Sequence, residues 1–260
     1  MENKEKVIVS MTSFPAAIEY AVGAVKSLLA GSVLPDKIVL YLTLSQFEGT
    51  PLPQELLDLA EENPVFEIRN YDSEIRSYRK LIPALRDFPD AVIVTVDDDA
   101  DYDHKMLERL LDLHRTYPDR VIAHRVKRVK LGLPYKKWTK YHWYDFIFKR
   151  DHTKFANLFT GVGGVLYPPH ALKQDMLDET LFRKLAPTAD DFWFWAAAVA
   201  NGRKIMPVPF GYNKPKGLGK PRSISLKDHN FKAGIDNNTK ALEAIFGQYP
   251  EIKSIVENDK

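Results

Sequence analysis

Three consecutive carboxylates in the first half of the chain are the residues best suited to do chemistry. Residues 91–96 form an apolar, β-branched run that predicts a buried strand, and Asp97, Asp98 and Asp99 follow it directly. Burying unpaired carboxylates costs too much free energy, so they must face solvent or a cation. Asp97 and Asp99 alternate along an extended chain and can point to one side. Two such ligands suit Mg²⁺ or Mn²⁺ that also holds a phosphate; the simpler alternative is an acidic turn capping a helix.

Further candidate groups lie in the second half of the chain. Gly163 and Gly164 belong to a Gly-Val-Gly-Gly run, which indicates either a strand bulge or a backbone that a sugar or acceptor can approach closely. Asp190 and Asp191 open an aromatic, alanine-rich helix, where they either cap the helix or supply a general base. His229 is either a surface imidazole or the residue that completes an Asp/His metal shell.

Basic residues occur at two places that could meet a polyphosphate. Arg76 and Lys80 follow a predicted strand, and residues 213–223 carry Lys and Arg among Gly and Pro. Both groups have two interpretations, a solvated surface or the neutralisation of a diphosphate.

Residues 125–143 interleave Lys, Arg and His with aromatic side chains, including Trp138 and Trp143. The composition allows nucleic-acid binding, stacking of rings on sugars, contact with an anionic membrane, or a solvated excursion. We expect an acceptor-binding segment with a peripheral membrane contact, and no nucleic-acid partner.

The hydrophobic pattern predicts alternating strands and helices in the first half of the chain. Strands are predicted at 6–12, 37–43, 65–69, 91–96 and 121–124, and helices at 16–30, 53–62, 75–88 and 103–117. After a long irregular loop at 125–154, strands are predicted at 158–167 and 204–210, and helices at 188–200 and 233–246. This rhythm predicts an α/β fold, Rossmann-like, with a mostly parallel central sheet and helices on both faces.

Composition sets broad limits on the class of protein. The chain has 260 residues, 45% of them hydrophobic and 28% charged, with a net charge of +2, as in ordinary globular proteins. Cysteine is absent, which excludes disulfides and thiolate metal sites. There is neither a segment of signal-peptide form nor an apolar run near the roughly 20 residues that cross a bilayer. We therefore expect a cytoplasmic protein, with at most a peripheral contact on the inner face of the plasma membrane.

Taken in order, these motifs resemble the GT-A fold of nucleotide-sugar glycosyltransferases, family-2-like, of the bacterial surface-polysaccharide type. Residues 7–15 are similar to that fold's first strand and nucleotide-binding loop, and 97–99 to its Asp-x-Asp motif. Residues 161–164 are similar to its glycine loop, and 189–191 to its acidic acceptor-side motif. One departure is that 41–45 lack the Asp that many such enzymes carry after the second strand, and Asp72 is a candidate replacement.

The resemblance implies a role for each candidate residue. The nucleotide would be bound by Thr12, Phe14, Asp72, Arg76, Lys80 and Asp97 to Asp99; the acceptor by Gly163, Gly164, Trp138, Trp143 and Asp190; and the metal by Asp97, Asp99 and His229. Asp191 would be the base of an inverting enzyme. The chain would be one domain over 1–260, with a nucleotide-binding half at 1–124 and an acceptor-side half with a tail at 125–260.

The function expected from the resemblance is transfer of a hexose from a UDP-sugar, with Mn²⁺ or Mg²⁺, to a saccharide or lipid-linked acceptor in surface-polysaccharide synthesis. One alternative is a sugar-phosphate nucleotidyltransferase, although residues 11–15 are not the Gly-rich basic loop that usually follows the first strand of those enzymes. The other is a non-catalytic module that binds polysaccharide or nucleic acid. Release of UDP or of pyrophosphate separates the two enzymes.

Overall fold

The computed structural model describes residues 5–147, 152–209, 215–221 and 236–259. The strands are β1 (Val7–Thr12), β2 (Lys37–Leu42), β3 (Phe66–Asn70), β4 (Val92–Thr95), β5 (Ala100–Asp101), β6 (Val121–Ala123), β7 (Val126–Arg128), β8 (Asn157–Phe159), β9 (Val165–Tyr167), β10 (Ile205–Pro207) and β11 (Lys216–Gly217). The α-helices are α1 (Ile18–Leu29), α2 (Gln54–Glu62), α3 (Ile82–Asp87), α4 (Met106–Thr116), α5 (Glu179–Leu185), α6 (Asp190–Ala200), α7 (Asn237–Gln248) and α8 (Pro250–Glu257).

A seven-stranded sheet in the order β10-β6-β9-β4-β1-β2-β3 forms the centre of the protein. All its pairings are parallel except those of β9, which runs antiparallel between β4 and β6. The mostly parallel α/β sheet is therefore confirmed. Its β-branched strands are buried on both faces, which is why their sequences read as continuous apolar runs.

Helices cover both faces of this sheet, as predicted, and alternate strand residues pack against opposite layers. Ile8 and Ile93 face the layer that contains α5, α6, α7 and α8. Val9 and Val94 face the layer built from α1, α2 and α4. Helix α6 has apolar side chains on every side and is buried from Phe192 to Val199.

The second half of the chain departs most from the prediction. The strand predicted at 158–167 is interrupted by the 3₁₀ turn Gly161–Gly163, and Gly164 has a φ of +91°, in the region that favours glycine. Because of this reversal, β8 and β9 belong to different sheets. Strand β8 pairs with β7 in a small sheet, whereas β9 lies in the central sheet. The predicted irregular loop at 125–154 therefore contains a paired strand, and β11 in the predicted tail pairs with β5.

Other differences are local. The helix predicted at 75–88 is divided at Leu81 into the 3₁₀ turn Arg76–Lys80 and α3, with Pro83 in the first turn of α3, where its missing N–H costs nothing. Helices α5 and α8 were not predicted. No helix in the described parts of the chain is long and apolar enough to span a membrane.

Candidate functional site

The triple-Asp motif lies where the parallel strands β1 and β4 end side by side. Ser13, in the loop after β1, donates its hydroxyl hydrogen to Asp98 Oδ2 at 2.5 Å. Lys220, just beyond β11, places its Nζ 3.1 Å from Asp98 Oδ1 and 3.4 Å from Asp99 Oδ2. Burial raises the pKa of Asp98, although Lys220 and Ser13 oppose the rise. We call Ser13, Asp98, Asp99 and Lys220 the Lys220 cluster.

A second cluster surrounds the buried ammonium of Lys80, which ends the 3₁₀ turn Arg76–Lys80. Its Nζ is 3.1 Å from Asp97 Oδ1 and 2.9 Å from Asp190 Oδ2 at the start of α6. Burial alone would lower the pKa of Lys80, but Asp190 and Asp97 raise it well above its ordinary value. Lys80 is therefore a fixed positive charge. We call Lys80, Asp97, Asp190, Asp191 and Gly161 the Lys80 cluster.

Asp191 is held in the Lys80 cluster by the backbone of Gly161. The Gly161 N–H donates to both Asp191 carboxylate oxygens, each at an N···O distance of 3.1 Å. A Cβ added to Gly161 would lie 2.7 Å from Lys80 Nζ and 3.0 Å from Asp191 Oδ1, so a side chain here would displace the cluster.

Burial and the neighbouring Asp190 raise the pKa of Asp191 to about 7, against the opposing influence of Lys80. A carboxylate that titrates near neutrality is suited to accept a proton.

The loop after β1 is braced by a buried arginine rather than left open. Arg79 donates from Nε to Thr12 Oγ1 at 2.9 Å and from its guanidinium to the Ser13 carbonyl at 3.3 Å. The Thr12 hydroxyl donates to the Tyr41 carbonyl at 2.8 Å. Lys220 Nζ lies 5.4 Å from the centre of the Phe14 ring. Thr12 and Phe14 thus border the Lys220 cluster, and their nucleotide contacts stay predictions.

The expected metal ligands are divided between the two clusters. Asp97 pairs with Lys80, whereas Asp99 lies beside Lys220. No group of three His, Asp or Glu side chains in the described parts of the chain could hold a metal ion, and His229 lies outside the described residues.

The two carboxylates nevertheless suit a hard divalent cation. The side chains of Asp97 and Asp99 keep 31% and 30% of their surface exposed. Mg²⁺ commonly binds through one or two carboxylates, with water and substrate phosphates completing its shell. Asp97 and Asp99 therefore fit Mg²⁺ or Mn²⁺, and their metal role stays a prediction.

Two predicted nucleotide-binding residues lie beyond β3, outside both clusters. Asp72 is exposed and accepts a hydrogen bond from Asn70 Nδ2 at 2.6 Å. Arg76 is also exposed and has a φ of 53°, a conformation uncommon for a residue with a side chain. Their nucleotide contacts stay predictions.

Most of the predicted acceptor residues are buried in the protein. Gly163 is buried, and an added Cβ would lie 3.2 Å from His124 Cβ, while one on Gly164 would lie 3.0 Å from the Met106 sulfur. These glycines make room for the protein itself. Trp138 is only 5% exposed, packs beside Phe192 and donates from Nε1 to the Leu133 carbonyl at 2.9 Å.

None of Gly163, Gly164 and Trp138 presents an open surface, and their acceptor roles stay predictions. Trp143 begins the 3₁₀ turn Trp143–Phe146, and its acceptor role stays a prediction. Asp190 is buried and paired with Lys80, so its structural part is to fix that charge.

Sequence reasoning left Ser13 and Tyr102 out of the site, and it offered Lys220 only as one of several basic residues at 213–223. Ser13 and Lys220 bind the triple-Asp motif, and the Tyr102 hydroxyl accepts the Asp97 N–H at 2.7 Å. The basic stretch around Lys220 can be recognised in the sequence. The sequence does not show that Lys220 pairs with Asp98, which is 122 residues away.

No protein-family model and no curated protein matches the chain. Among solved structures, it is similar to CMP:2-keto-3-deoxy-manno-octonic acid synthetase complexed with CTP, with a TM-score of 0.50 and 12% identity over 85% of this chain and 95% of that chain. A structure of 4-diphosphocytidyl-2C-methyl-D-erythritol synthase has a TM-score of 0.47, at 12% identity and the same two coverages. At this identity the first likeness shows the fold alone, an α/β fold with a mostly parallel, Rossmann-like central sheet.

The comparisons overturn the expected glycosyltransferase activity. The structure with a TM-score of 0.50 is a synthetase complexed with CTP, and no family model supports a glycosyltransferase. The glycosyltransferase prediction is therefore wrong on these findings, and a UDP-sugar donor has no support. The stated alternative, nucleotidyl transfer, agrees better with them.

Proposed function

We propose that this protein is a nucleotidyltransferase that transfers a nucleoside monophosphate unit from a nucleoside triphosphate to a sugar or sugar phosphate and releases pyrophosphate. The observation that carries the proposal is the arrangement of two fixed ammonium groups, Lys80 and Lys220, with the strand-terminal carboxylates Asp97 and Asp99. Ammonium groups and a carboxylate-bound cation together are suited to a polyphosphate.

The charge of the site favours nucleotide binding with a metal. Five carboxylates, at positions 97, 98, 99, 190 and 191, lie with two ammonium groups, so negative charge is in excess even when Asp191 is protonated. A bare triphosphate would be repelled. Asp97 and Asp99 would hold Mg²⁺ or Mn²⁺, which when bound neutralises phosphate charge and polarises the phosphoryl oxygens.

The two lysines also answer the strongest objection from the sequence. The loop after β1 lacks the glycine-rich basic run that nucleotidyltransferases usually place there. Lys220, beyond β11, lies 5.4 Å from the Phe14 ring of this loop and donates to Asp98 after β4. Lys80, at the end of the 3₁₀ turn, donates to Asp97, which also follows β4. The missing positive charges are thus supplied from other parts of the chain.

In the proposed reaction, an acceptor oxygen attacks the α-phosphorus of the triphosphate. A new P–O bond forms, the bond from the α-phosphorus to the bridging oxygen breaks, and pyrophosphate leaves with the electron pair. Lys80 and Lys220 stabilise the negative charge that develops on the phosphates. Where the acceptor is a hydroxyl, Asp191 takes its proton, a role for which its pKa of about 7 is suited.

Product analysis tests this function. The purified chain is incubated with Mg²⁺, each of the four ribonucleoside triphosphates in turn, and a panel of sugar phosphates and sugar acids. We expect acceptor-dependent pyrophosphate, measured as phosphate after treatment with pyrophosphatase. Asp99→Ala should abolish it, whereas Asp119→Ala, at an exposed surface carboxylate, should not. Release of a nucleoside diphosphate from a sugar nucleotide, without pyrophosphate, would refute the proposal.

A further inference from the structure

A segment distant in sequence from the triple-Asp motif combines exposed apolar side chains with exposed lysines. Residues 130–147, which we call the basic loop, contain Leu133, Tyr144 and Ile147, whose exposed fractions are 43%, 51% and 50%. They are three of the seven large hydrophobic residues that are exposed in the described parts of the chain. Clustering of such residues marks an interaction surface more often than scattered single ones do.

The charge of the basic loop is one-sided. Its lysines, all exposed, are Lys130, Lys136, Lys137 and Lys140. Its single acidic residue, Asp145, accepts a hydrogen bond from Arg128 at 2.5 Å and is therefore neutralised within the protein. A surface with this composition is complementary to a dense array of negative charge.

The basic loop is fixed to the protein core. Trp138 is buried beside Phe192 of α6, and its indole N–H is bonded to the Leu133 carbonyl. The backbones of Lys127, in β7, and Lys140 form an antiparallel β-bridge. Beside it, the Arg128 N–H donates to the Thr139 carbonyl at 2.8 Å. Arg128 also reaches Asp145, which holds the turn Trp143–Phe146 beside the same strand. Leu133 and Ile147 are thus exposed on a braced segment, which lowers the entropy cost of binding.

We propose that the basic loop docks on the surface of an anionic lipid bilayer. The lysines interact with the lipid headgroups, while Leu133, Tyr144 and Ile147 enter the boundary between headgroups and acyl chains. Clusters of four to eight basic residues bind anionic membranes, and exposed apolar side chains add to that affinity. Exposed leucine and isoleucine favour a bilayer over a nucleic acid, which offers aliphatic side chains little to bind.

Vesicle flotation of the full chain tests this proposal. Vesicles of phosphatidylglycerol and phosphatidylcholine in equal parts are compared with phosphatidylcholine alone at about 0.1 M salt, where charge interactions extend about 10 Å. We expect binding to the anionic vesicles and little to the neutral ones. The double variant Lys130→Gln/Lys137→Gln should bind about thirtyfold more weakly, and Leu133→Ser/Ile147→Ser should also lose affinity.

Matched controls test whether an affinity loss is specific to the basic loop or follows from removing any exposed lysine or apolar side chain. Lys184→Gln/Lys253→Gln removes two lysines elsewhere, and Leu57→Ser removes an apolar side chain that is 41% exposed on α2. Both should bind like the wild type. The proposal is overturned if the wild type ignores anionic vesicles, if the controls lose as much affinity as the loop variants, or if single-stranded RNA is bound and vesicles are not. None of these outcomes depends on the proposed enzymatic activity.

Discussion

Replacing Asp191 with Asn should change the pH dependence of stability in a defined direction. The surroundings of Asp191 raise its pKa from 3.8 to about 7, first through burial and then through Asp190. The folded protein therefore binds this proton more tightly than the unfolded chain does. The stabilisation from the protonated carboxyl is present in full below pH 3.8 and is lost as the pH rises towards 7.

The size of the effect follows from the pKa difference. Each pKa unit corresponds to roughly 1.4 kcal/mol, so ionised Asp191 costs at most about 4 kcal/mol above pH 7. Asn cannot ionise and avoids this cost. The stability of Asp191→Asn relative to wild type should therefore rise by roughly 1.4 kcal/mol per pH unit between about pH 4 and 7, and then level off. Any loss of hydrogen bonding to Gly161 adds a constant that does not depend on pH.

Urea unfolding of both proteins at intervals from about pH 4 to pH 8.5 measures this difference. The change with pH, and not the value at any single pH, is the result of interest. Asp119→Asn, which removes a carboxylate that is 61% exposed, should differ from wild type by less than about 1 kcal/mol throughout. A flat difference for Asp191→Asn over the whole range would refute the claim that burial and Asp190 hold a proton on Asp191.

Three further predictions concern the same region. Gly161→Ala should lower the free energy of unfolding by about 1–3 kcal/mol in the same urea titration, because the added methyl group meets Lys80 and Asp191. Gly247→Ala, in open space on α7, should instead raise the free energy of unfolding by up to about 1 kcal/mol. Lys80→Met should cost about 3–5 kcal/mol near pH 8 by leaving buried carboxylates unpaired, and adding Asp190→Asn should restore part of that loss; equal thermal shifts for the single and double variants would count against a buried ion pair. Burial lowers the pKa of His124 to about 4, so the stability that its neutral ring contributes should be lost as the pH falls from 6.5 to 4, by up to about 3 kcal/mol. In acid-unfolding curves, His124→Gln should remove this dependence of the free energy of unfolding on pH.

Much of the first half of the fold could be predicted because its elements are long and periodic. The β1 and α1 segments, for example, were placed to within two residues at either end. The strands β7 and β11 were not predicted, because they have three residues or fewer, which is too short for a period, and their partners are distant in sequence. The predicted strand at 158–167 contained β8 and β9 but not the turn between them. Pairings of that kind are decided by tertiary packing.

The candidate site shows the same division. Asp97 and Asp191 were found because each lies at a boundary that local patterns reveal, the end of a strand and the start of a helix. The contacts of Lys80 with Asp190 and of Lys220 with Asp98 are long-range, and no local pattern encodes them. The burial of the Trp138 ring against α6 was also not visible in the sequence, because the surrounding segment is basic. Acidic residues at a strand end indicate metal and phosphate chemistry in general, which glycosyl and nucleotidyl transfer share.

The antiparallel strand β9 has a consequence for how the chain can be divided and synthesised. Within the described residues, β6 is bonded only to β9 and β10, both of which follow residue 124. A fragment that ends at 124 would leave β6 with neither neighbour and β4 with an open edge towards solvent. Such edges recruit other chains, so we expect this fragment to aggregate rather than fold. During translation the central sheet can be completed only after β10, which ends at residue 207, has left the ribosome.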